Sequence, residues 1–336
     1  MAQIRTFARK SALTCGLLCD MTNDTLIIYI EILYNFVGEN LEILELFPYN
    51  TIGIIISITK FRILQLRITT KGTIAMKYSY YPGCTLRNKA KDLDRYARLC
   101  AEALGFTLEE LETWQCCGGV YPLGTDEIAS KLPSVRALSD AKQKGQDLVA
   151  VCSACYHVLK RVNDDMANVE DIQTRANNYM ELETPYKGET KVLHFLEVLR
   201  DRVGFDTLKE KVTNPLTGRK IGAYYGCLLL RPSSVLAFDD PENPTILEDF
   251  IRALGAEPVI YARRNECCGG YISLKDQPLA GDLCQKIADD ASSFGAECLV
   301  TACPLCRYNL NKTGTLPVVY FTELLAEALG IKEEDK

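Results

Sequence analysis

Cys116-Cys117-Gly118-Gly119 and Cys267-Cys268-Gly269-Gly270 are two copies of one motif, and the sequence around them is duplicated as well. In both copies 34 residues separate the cysteine pair from a C-x-x-C pair, and a single cysteine precedes the motif. Self-similarity of this kind indicates two copies of one folding unit. The two sets of cysteines are Cys84, Cys116, Cys117, Cys152 and Cys155 in the first copy and Cys227, Cys267, Cys268, Cys303 and Cys306 in the second.

The segments between the cysteines predict strands that alternate with helices. Runs rich in β-formers end at the first cysteine of each copy and at each C-x-x-C, and amphipathic helical patterns ending near glycine lie between them. Such alternation is typical of parallel α/β sheets, whose functional sites gather beyond the carboxyl ends of the strands. The predicted strands are 77–81, 148–151, 221–225 and 299–302, and the predicted helices are 92–104, 127–144, 244–254 and 278–294.

The duplication divides the chain into three parts. We expect two similar Rossmann-like α/β domains, residues 76–215 and 216–336, each carrying one cysteine set. Residues 1–75 have no counterpart in the duplication and are rich in Ile, Leu and Thr. They show few recognisable helix-capping or turn patterns. We predict that they form a poorly packed or poorly ordered extension. If the start codon is misplaced, this extension does not belong to the native protein.

Composition narrows the class of protein. The 336 residues carry a net charge of −6, which argues against a nucleic-acid surface. The apolar stretches 26–37 and 52–58 are shorter than the roughly 20 residues that a membrane-spanning helix needs. No export signal is legible at the start, so we expect a cytoplasmic protein without a membrane span. In that reducing compartment, clustered cysteines more often hold metal or do redox work than form structural disulfides.

Three chemistries compete for the ten repeated cysteines. Structural zinc takes four ligands, so five cysteines per copy leave one over, and adjacent Cys116 and Cys117 are difficult to aim at one small ion. A dithiol redox centre at each C-x-x-C would leave the other three cysteines of each copy without a role. An iron–sulfur cluster uses all five, because its several iron atoms are spread over a few ångströms.

The glycines after each cysteine pair favour the cluster. Gly118, Gly119, Gly269 and Gly270 lack Cβ atoms, so their backbone N–H groups can approach a negatively charged cluster and stabilise it. Helices that begin after each C-x-x-C add positive potential from their N-termini. These four glycines are therefore predicted to contribute to cofactor binding, and the ten cysteines to bind the metal.

These motifs resemble the CCG-domain family, and above all the B-type subunit of the CoB–CoM heterodisulfide reductases. The resemblance covers residues 76–330, and all ten ligand positions are present. It implies that each cysteine set holds a noncubane [4Fe–4S] cluster. Related proteins include subunits of thiol:fumarate reductases, anaerobic glycerol-3-phosphate dehydrogenases and lactate-utilisation or glycolate oxidases.

The resemblance also implies a reaction and partners. Both clusters would face a cavity where CoM-S-S-CoB, the heterodisulfide of methanogenesis, is split by two one-electron transfers, a substrate sulfur contacting cluster iron. Electrons would come from the C-type subunit of the heterodisulfide reductases, which carries cubane [4Fe–4S] clusters, and from their flavin-containing A-type subunit. This chain has Leu228 after Cys227, so a proton-donating histidine placed there in a family member is missing.

A few residues outside the cysteine sets are candidates for catalysis. His157 lies two residues after Cys155 and could donate a proton to a leaving thiolate. Arg231 and Arg264 lie near cysteines of the second copy and could bind an anionic substrate. A surface location is the plain alternative for all three, and His194, in a strand-like run opposite Tyr320, favours a structural role.

Two functions follow from these predictions. In the first, the chain is the catalytic subunit of a heterodisulfide reductase complex and reduces CoM-S-S-CoB or an analogue to two thiols. In the second, it is a non-catalytic iron–sulfur relay of a flavin-dependent dehydrogenase or of an electron-bifurcating complex. The sequence does not separate the two, because both use the same cysteines.

Overall fold

The computed structural model describes residues 76–119, 126–182, 184–313 and 315–331. The expectation for residues 1–75 lies outside this part of the chain. Within it, two parallel sheets of four strands are covered by helices, so the prediction of two α/β domains related by duplication is confirmed. Each sheet lies within one predicted domain, while the boundary at residues 215 and 216 stays a prediction.

The first half contains strands β1 to β4. Its cysteine pair and its C-x-x-C lie in or beside the connections between these strands. Its elements are β1 (Met76–Tyr81), α1 (Gly83–Asn88), α2 (Lys91–Leu104), β2 (Phe106–Glu110), α3 (Leu132–Gln143), β3 (Leu148–Ala150), α4 (Ser153–Asn168), α5 (Glu170–Met180), β4 (Val192–His194), α6 (Phe195–Val198), a π-helical turn (Leu199–Val203) and α7 (Phe205–Lys211).

The second half repeats this order. Its elements are β5 (Lys220–Tyr224), α8 (Ser233–Leu236), α9 (Ile246–Ala253), β6 (Glu257–Val259), two 3₁₀ turns (Ala262–Asn265 and Ile272–Leu274), α10 (Gln277–Ser293), β7 (Cys298–Thr301), α11 (Pro304–Thr313), β8 (Val318–Tyr320) and α12 (Phe321–Ala328).

Strand order explains where the cysteines lie. The sheets run β2-β1-β3-β4 and β6-β5-β7-β8, with every pair parallel. The chain leaves β1 toward one side and returns through β3 on the other, which opens a crevice beyond the carboxyl ends of β1 and β3. Cys84 and Cys152 follow these two strands, and Cys227 and Cys303 follow β5 and β7.

Most predicted boundaries differ from the structure by one or two residues, but one helix starts later than expected. α3 begins at Leu132, not at Glu127, because Pro133 lacks an N–H group and suits the first turn of a helix. The preceding residues form a turn in which the Asp126 carboxylate accepts hydrogen bonds from the backbone of Ile128 and Ala129, both at 2.9 Å. α5, β2 and β6 had no clear sequence signal.

The two halves meet where β3 and β7 end. Ser153 donates two hydrogen bonds to the Ala302 carbonyl, 2.7 Å from its hydroxyl and 3.2 Å from its backbone N–H. The Tyr320 hydroxyl lies 2.8 Å from the Val151 carbonyl and 3.0 Å from that of Ala302. Because Val151 and Ala302 directly precede the C-x-x-C pairs, these bonds hold the two pairs side by side.

An aromatic cluster extends this junction into one core shared by both halves. The ring of Phe321 lies 5.9 Å from Phe195 and 6.3 Å from Phe250, and Phe195 lies 5.5 Å from Phe106. All four side chains are buried. Helix α12 therefore packs against the first half, where the Thr322 hydroxyl donates to the Leu93 carbonyl at 3.2 Å.

A helix must be long and apolar to cross a bilayer. Within the part of the chain that the structure describes, no helix combines the length and apolar character needed to cross a membrane.

Replacing Tyr320 by Phe should destabilise the protein by about 1–3 kcal/mol. The substitution keeps the buried ring but removes the hydroxyl that bonds to two buried carbonyls across the junction. Urea unfolding followed by circular dichroism measures the change. Tyr308→Phe is the control, since that tyrosine is 62% exposed. Equal midpoints for both variants would contradict the structural role given to the Tyr320 hydroxyl.

Candidate metal centres

The five cysteines of the first set form a row of neighbouring sulfurs. The Sγ atoms of Cys117 and Cys155 are 3.6 Å apart. Cys116 is also influenced electrostatically by Cys84 and Cys117, and Cys155 by Cys152. Cys84 and Cys116 are exposed, whereas the other three are buried. The set thus runs from the core to the surface.

The second set repeats this arrangement. The Sγ atoms of Cys268 and Cys306 are 3.4 Å apart, and those of Cys227 and Cys267 are 3.8 Å apart. Cys303 is hydrogen-bonded to Cys306. Cys267 is exposed and Cys227 is half-buried. Among the described residues, no three Cys, His, Asp or Glu side chains are arranged as ligands of one metal ion.

A glycine before the first cysteine of each set makes room for a sulfur from the C-x-x-C pair. Gly83 has φ +74°, and a Cβ there would lie 2.5 Å from the Cys155 Sγ. Gly226 has φ +65°, and a Cβ there would lie 3.3 Å from the Cys306 Sγ. A side chain at either position would both strain the backbone and crowd the sulfur.

Backbone N–H groups surround the sulfurs, as the glycine motif predicts. The Gly269 N–H lies 3.4 Å from the Cys267 Sγ, and Gly270 also donates to Cys267. In the first set, the backbone N–H groups of Gly118 and Gly119 favour the charged forms of Cys116 and Cys117. These donors stabilise negative charge on the thiolates, which is what metal-bound cysteine carries.

Interactions between neighbouring cysteines shift the pKa values within each set. Hydrogen bonds from Cys116 and Cys155 lower the pKa of Cys117, and the hydrogen bond from Cys155 lowers the pKa of Cys152, which also caps helix α4. The hydrogen bond from Cys306 lowers the pKa of Cys268. Each set therefore favours thiolate at one or more buried sulfurs, and thiolate is the form that ligates metal.

A tyrosine in each half fixes the residue that precedes the cysteine pair. The Tyr81 hydroxyl donates to the Gln115 carbonyl, and the Tyr224 hydroxyl donates to the Glu266 carbonyl at 2.8 Å. Trp114 packs edge-on against Tyr81, with 5.6 Å between ring centroids. Trp114 therefore packs beside the first cysteine loop.

Tyr271 links the two cysteine sets, and sequence reasoning missed it. Its hydroxyl donates to the Gly119 carbonyl of the other half at 2.5 Å. Burial raises the pKa of Tyr271, and charge at Cys303 and Cys227 of the second set and at Cys117 and Cys152 of the first raises it further. The ring is 39% exposed. Tyr271 is therefore within electrostatic range of cysteines of both sets.

The structure gives the three other candidate residues different surroundings. His157 is buried on α4, its Nδ1 lies 3.1 Å from the carbonyl of Leu228, and burial lowers its pKa. Arg231 bonds to the carbonyls of Asn265 and Pro241 at 3.1 and 3.0 Å. Arg264 is buried and forms an ion pair with Glu248 at 3.2 Å. His157 thus contacts the residue that follows Cys227, whereas these contacts of the arginines hold the protein's own loops.

His194 has the surroundings of a structural residue, as expected. It is fully buried, and burial lowers its pKa to about 3, so the ring is neutral. Its Nδ1 accepts from the backbone of Leu196 at 3.2 Å, and its Nε2 lies 3.0 Å from the Val151 carbonyl, to which it donates. The ring thereby caps α6 and supports the end of β3.

Comparison with known proteins identifies the class. Residues 78–160 and 221–311 each match the cysteine-rich domain CCG, and together they make up more than half of the chain. The chain belongs to this family of cysteine-rich domain proteins, and the duplication seen in the sequence is a duplication of that domain.

Particular relatives agree with the resemblance. The chain is 30% identical to the 8-methylmenaquinol:fumarate reductase membrane anchor subunit of Wolinella succinogenes, with 77% of this chain and 94% of the relative aligned. It is 28% identical to the B-type subunit of the ferredoxin/F420H2-dependent CoB–CoM heterodisulfide reductase of Methanosarcina acetivorans, over 77% and 91%. A protein of Archaeoglobus profundus that is similar to the B-type subunits of heterodisulfide reductases is 29% identical, over 77% and 92%.

One solved structure shares the fold. It is a hypothetical protein from Helicobacter pylori, superposed with a TM-score of 0.59 at 12% identity over 77% of this chain. The chain spans about half the length of that protein.

Replacing Gly83 by Ala should cost about 1–3 kcal/mol more unfolding free energy than replacing Gly145 by Ala. Both glycines have positive φ, so both variants strain the backbone. Only at Gly83 would the new methyl meet a sulfur, since nothing lies within 4 Å of a Cβ at Gly145. Urea titration of the two variants measures the difference. Equal losses of unfolding free energy in the two variants would mean that the Cys155 sulfur moves aside without a cost in stability, which would contradict the crowding argument.

Proposed function

We propose that each cysteine set holds one iron–sulfur cluster, of the noncubane [4Fe–4S] type, and that the chain is the catalytic subunit of a heterodisulfide-reductase-type complex. The observation that carries the proposal is that Tyr271, which is partly exposed, bonds to the glycine motif of the first set and lies within electrostatic range of cysteines of both sets. A small disulfide bound beside Tyr271 could approach both centres at once. This proposal goes beyond the similarity to heterodisulfide reductase B-type subunits reported above.

The donor set supports the proposal. Five thiols per set, in a row that reaches from the buried C-x-x-C pair to an exposed cysteine, suit a multi-iron unit better than a tetrahedral ion. Gly83 and Gly226 leave space for sulfur where a Cβ would intrude. The N–H groups of the glycine motifs supply the hydrogen bonds that a negatively charged cluster requires.

The reaction is a two-electron reduction. One disulfide bond breaks, two electrons enter in separate steps, and two protons are taken up, so that one disulfide gives two thiols. When bound, a cluster supplies one-electron transfer and iron that a substrate sulfur can contact. The electrons must come from partner proteins, which we propose to be an iron–sulfur subunit of the C type and a flavin-containing subunit of the A type.

The residues of this chain position the substrate. Tyr271 offers a ring beside both sets and ties the two glycine loops together through Gly119. His157 is held against the Leu228 carbonyl, next to Cys227, which is where a proton is needed if a thiolate leaves from the second centre. Its role as a proton donor stays a prediction, as do substrate-binding roles for Arg231 and Arg264.

A second candidate is an electron relay without a substrate site. It is favoured by the similarity to the anchor subunit of the fumarate reductase of Wolinella succinogenes, which at 30% identity is as similar as the heterodisulfide reductase subunits. Leu228 agrees with it as well, because leucine cannot donate a proton. In this function the clusters would pass electrons between a flavin subunit and another donor or acceptor.

The two functions are separated by adding substrate to the oxidised protein. The complete complex is purified anaerobically and treated with CoM-S-S-CoB, or with another disulfide in the presence of one free thiol. A new paramagnetic signal that depends on the disulfide supports the enzyme. Clusters that are intact and redox-active but give no such signal support the relay. Zinc in place of iron and sulfide would overturn both.

Replacing Cys116 and Cys117 together by Ser should remove about half of the iron and acid-labile sulfide, because one of two centres loses adjacent ligands. Chemical analysis of the anaerobic protein measures both elements. Cys100→Ala is the matched control, since that cysteine is buried on α2 outside both sets. Full iron content in the double variant would contradict the ligand assignment of the first set.

Replacing Tyr271 by Phe should raise the disulfide concentration that gives half of the signal by about fivefold. The ring remains, but the hydrogen bond to Gly119, worth about 1 kcal/mol, is lost. Tyr271→Ala should have a larger effect because the ring is lost too. Tyr179→Phe, at a tyrosine that is 73% exposed, is the control. An unchanged titration in both Tyr271 variants, with iron intact, would argue that substrate does not bind there.

A further inference from the structure

The two centres are built from equivalent parts, so a difference between them must come from the positions where the two copies differ. Tyr81 and Tyr224 bond to equivalent carbonyls, and Gly83 and Gly226 contact equivalent sulfurs. The glycine motifs donate equivalent backbone hydrogen bonds. None of these features distinguishes one centre from the other.

Asn309 is such a difference. It lies on α11, three residues after Cys306, and is buried. Its side-chain Nδ2 lies 3.9 Å from the Cys268 Sγ, a distance that suits a weak N–H···S hydrogen bond. The equivalent position of the first half, three residues after Cys155 on α4, is Val158, which is buried and cannot donate.

A donor of this kind acts on the sulfur that it faces. Hydrogen bonds to ligand sulfurs are among the factors that set the reduction potential of an iron–sulfur cluster. The N–H dipole stabilises negative charge on sulfur, and that charge increases when the centre takes up an electron. The same donor contributes to the lowered pKa of Cys268, after the larger contribution of Cys306.

We propose that Asn309 raises the reduction potential of the second centre above that of the first, so that a single electron given to the chain resides on the second centre. This inference rests on the proposed iron–sulfur function. The step is the uptake of one electron from an external reductant, such as dithionite or the donor protein, and no bond to the protein breaks. Asn309 is a positioning residue, because it acts through Cys268.

The experiment is a redox titration of the anaerobically purified full-length protein, followed by electron paramagnetic resonance. Asn309→Leu removes the donor and nearly preserves side-chain volume. At a fixed solution potential, we expect the ratio of reduced to oxidised second centre to fall by about two- to tenfold, where tenfold corresponds to about 59 mV for a one-electron couple. The transition of the first centre should not move.

Two further variants distinguish tuning from a structural effect. Asn311→Leu removes an amide from the same helix that bonds to the Val318 backbone rather than to a cysteine, and it should leave both transitions in place. Val158→Asn adds a donor to the first half and should raise the other transition, which also assigns the two signals.

The outcomes distinguish a failure of the tuning role of Asn309 from a failure of the proposed iron–sulfur function. If wild-type protein contains no iron and sulfide, the proposed function fails. If both centres assemble and Asn309→Leu moves neither transition, or moves both equally, the tuning role is wrong and the iron–sulfur function stands. A shift confined to one transition, absent in Asn311→Leu, supports it.

Discussion

The contact between the ends of β3 and β7 determines the rest of the site. Each of these strands leads directly into a C-x-x-C pair, so whatever fixes the strand ends fixes the buried cysteines. Ser153 of the first half bonds to Ala302 of the second, and Tyr320 reaches the carbonyls of both Val151 and Ala302. These groups are buried, and an unpaired carbonyl there would cost more than any single bond contributes. The junction is therefore held in one register, and the distance between the two cysteine sets is set by the fold.

Packing ten thiols into two small volumes creates a second constraint. Thiolates repel one another in a low-dielectric interior, so each needs a donor or a metal to offset the repulsion. Backbone N–H groups of the glycine motifs and of the first turn of α4 offset part of this repulsion, and so does the Asn309 side chain beside Cys268. Gly83 and Gly226 make room for the cysteines, because a Cβ at either position would crowd a sulfur. The cysteines and the glycines beside them therefore have one physical cause.

Local signals made most of the elements predictable, whereas contacts between the halves left no local trace. The glycines that end α2 and α9 and the strand-like runs before the cysteines act over a few residues, and the corresponding elements lie close to where they were expected. The start of α3 was misplaced because a turn capped by Asp126 resembles a helix in sequence, and β2 gave no signal because its stability comes from pairing with β1. Ser153 and Ala302, by contrast, are 149 residues apart, and Tyr271 and Gly119 are 152 apart. A duplication predicts two similar domains but not how they face each other, so the link that Tyr271 makes between the two cysteine sets could only be found in the folded chain.

Duplication alone gives two equal centres, and two equal centres have no preferred direction for an electron. Direction requires that the copies diverge, and the divergence is concentrated at the junction. His194 and Tyr320 occupy equivalent positions before α6 and α12, and both take part in capping boxes. Yet the Nε2 of His194 bonds to Val151 in its own half, whereas the Tyr320 hydroxyl lies within hydrogen-bonding distance of carbonyls of both halves. Side chains cross the junction in both directions: Tyr271 and Tyr320 reach carbonyls of the first half, and Tyr156, His157 and Arg200 reach carbonyls of the second. Because these crossing side chains are not equivalent in the two copies, the surroundings of the two cysteine sets differ although the cysteines themselves are equivalent.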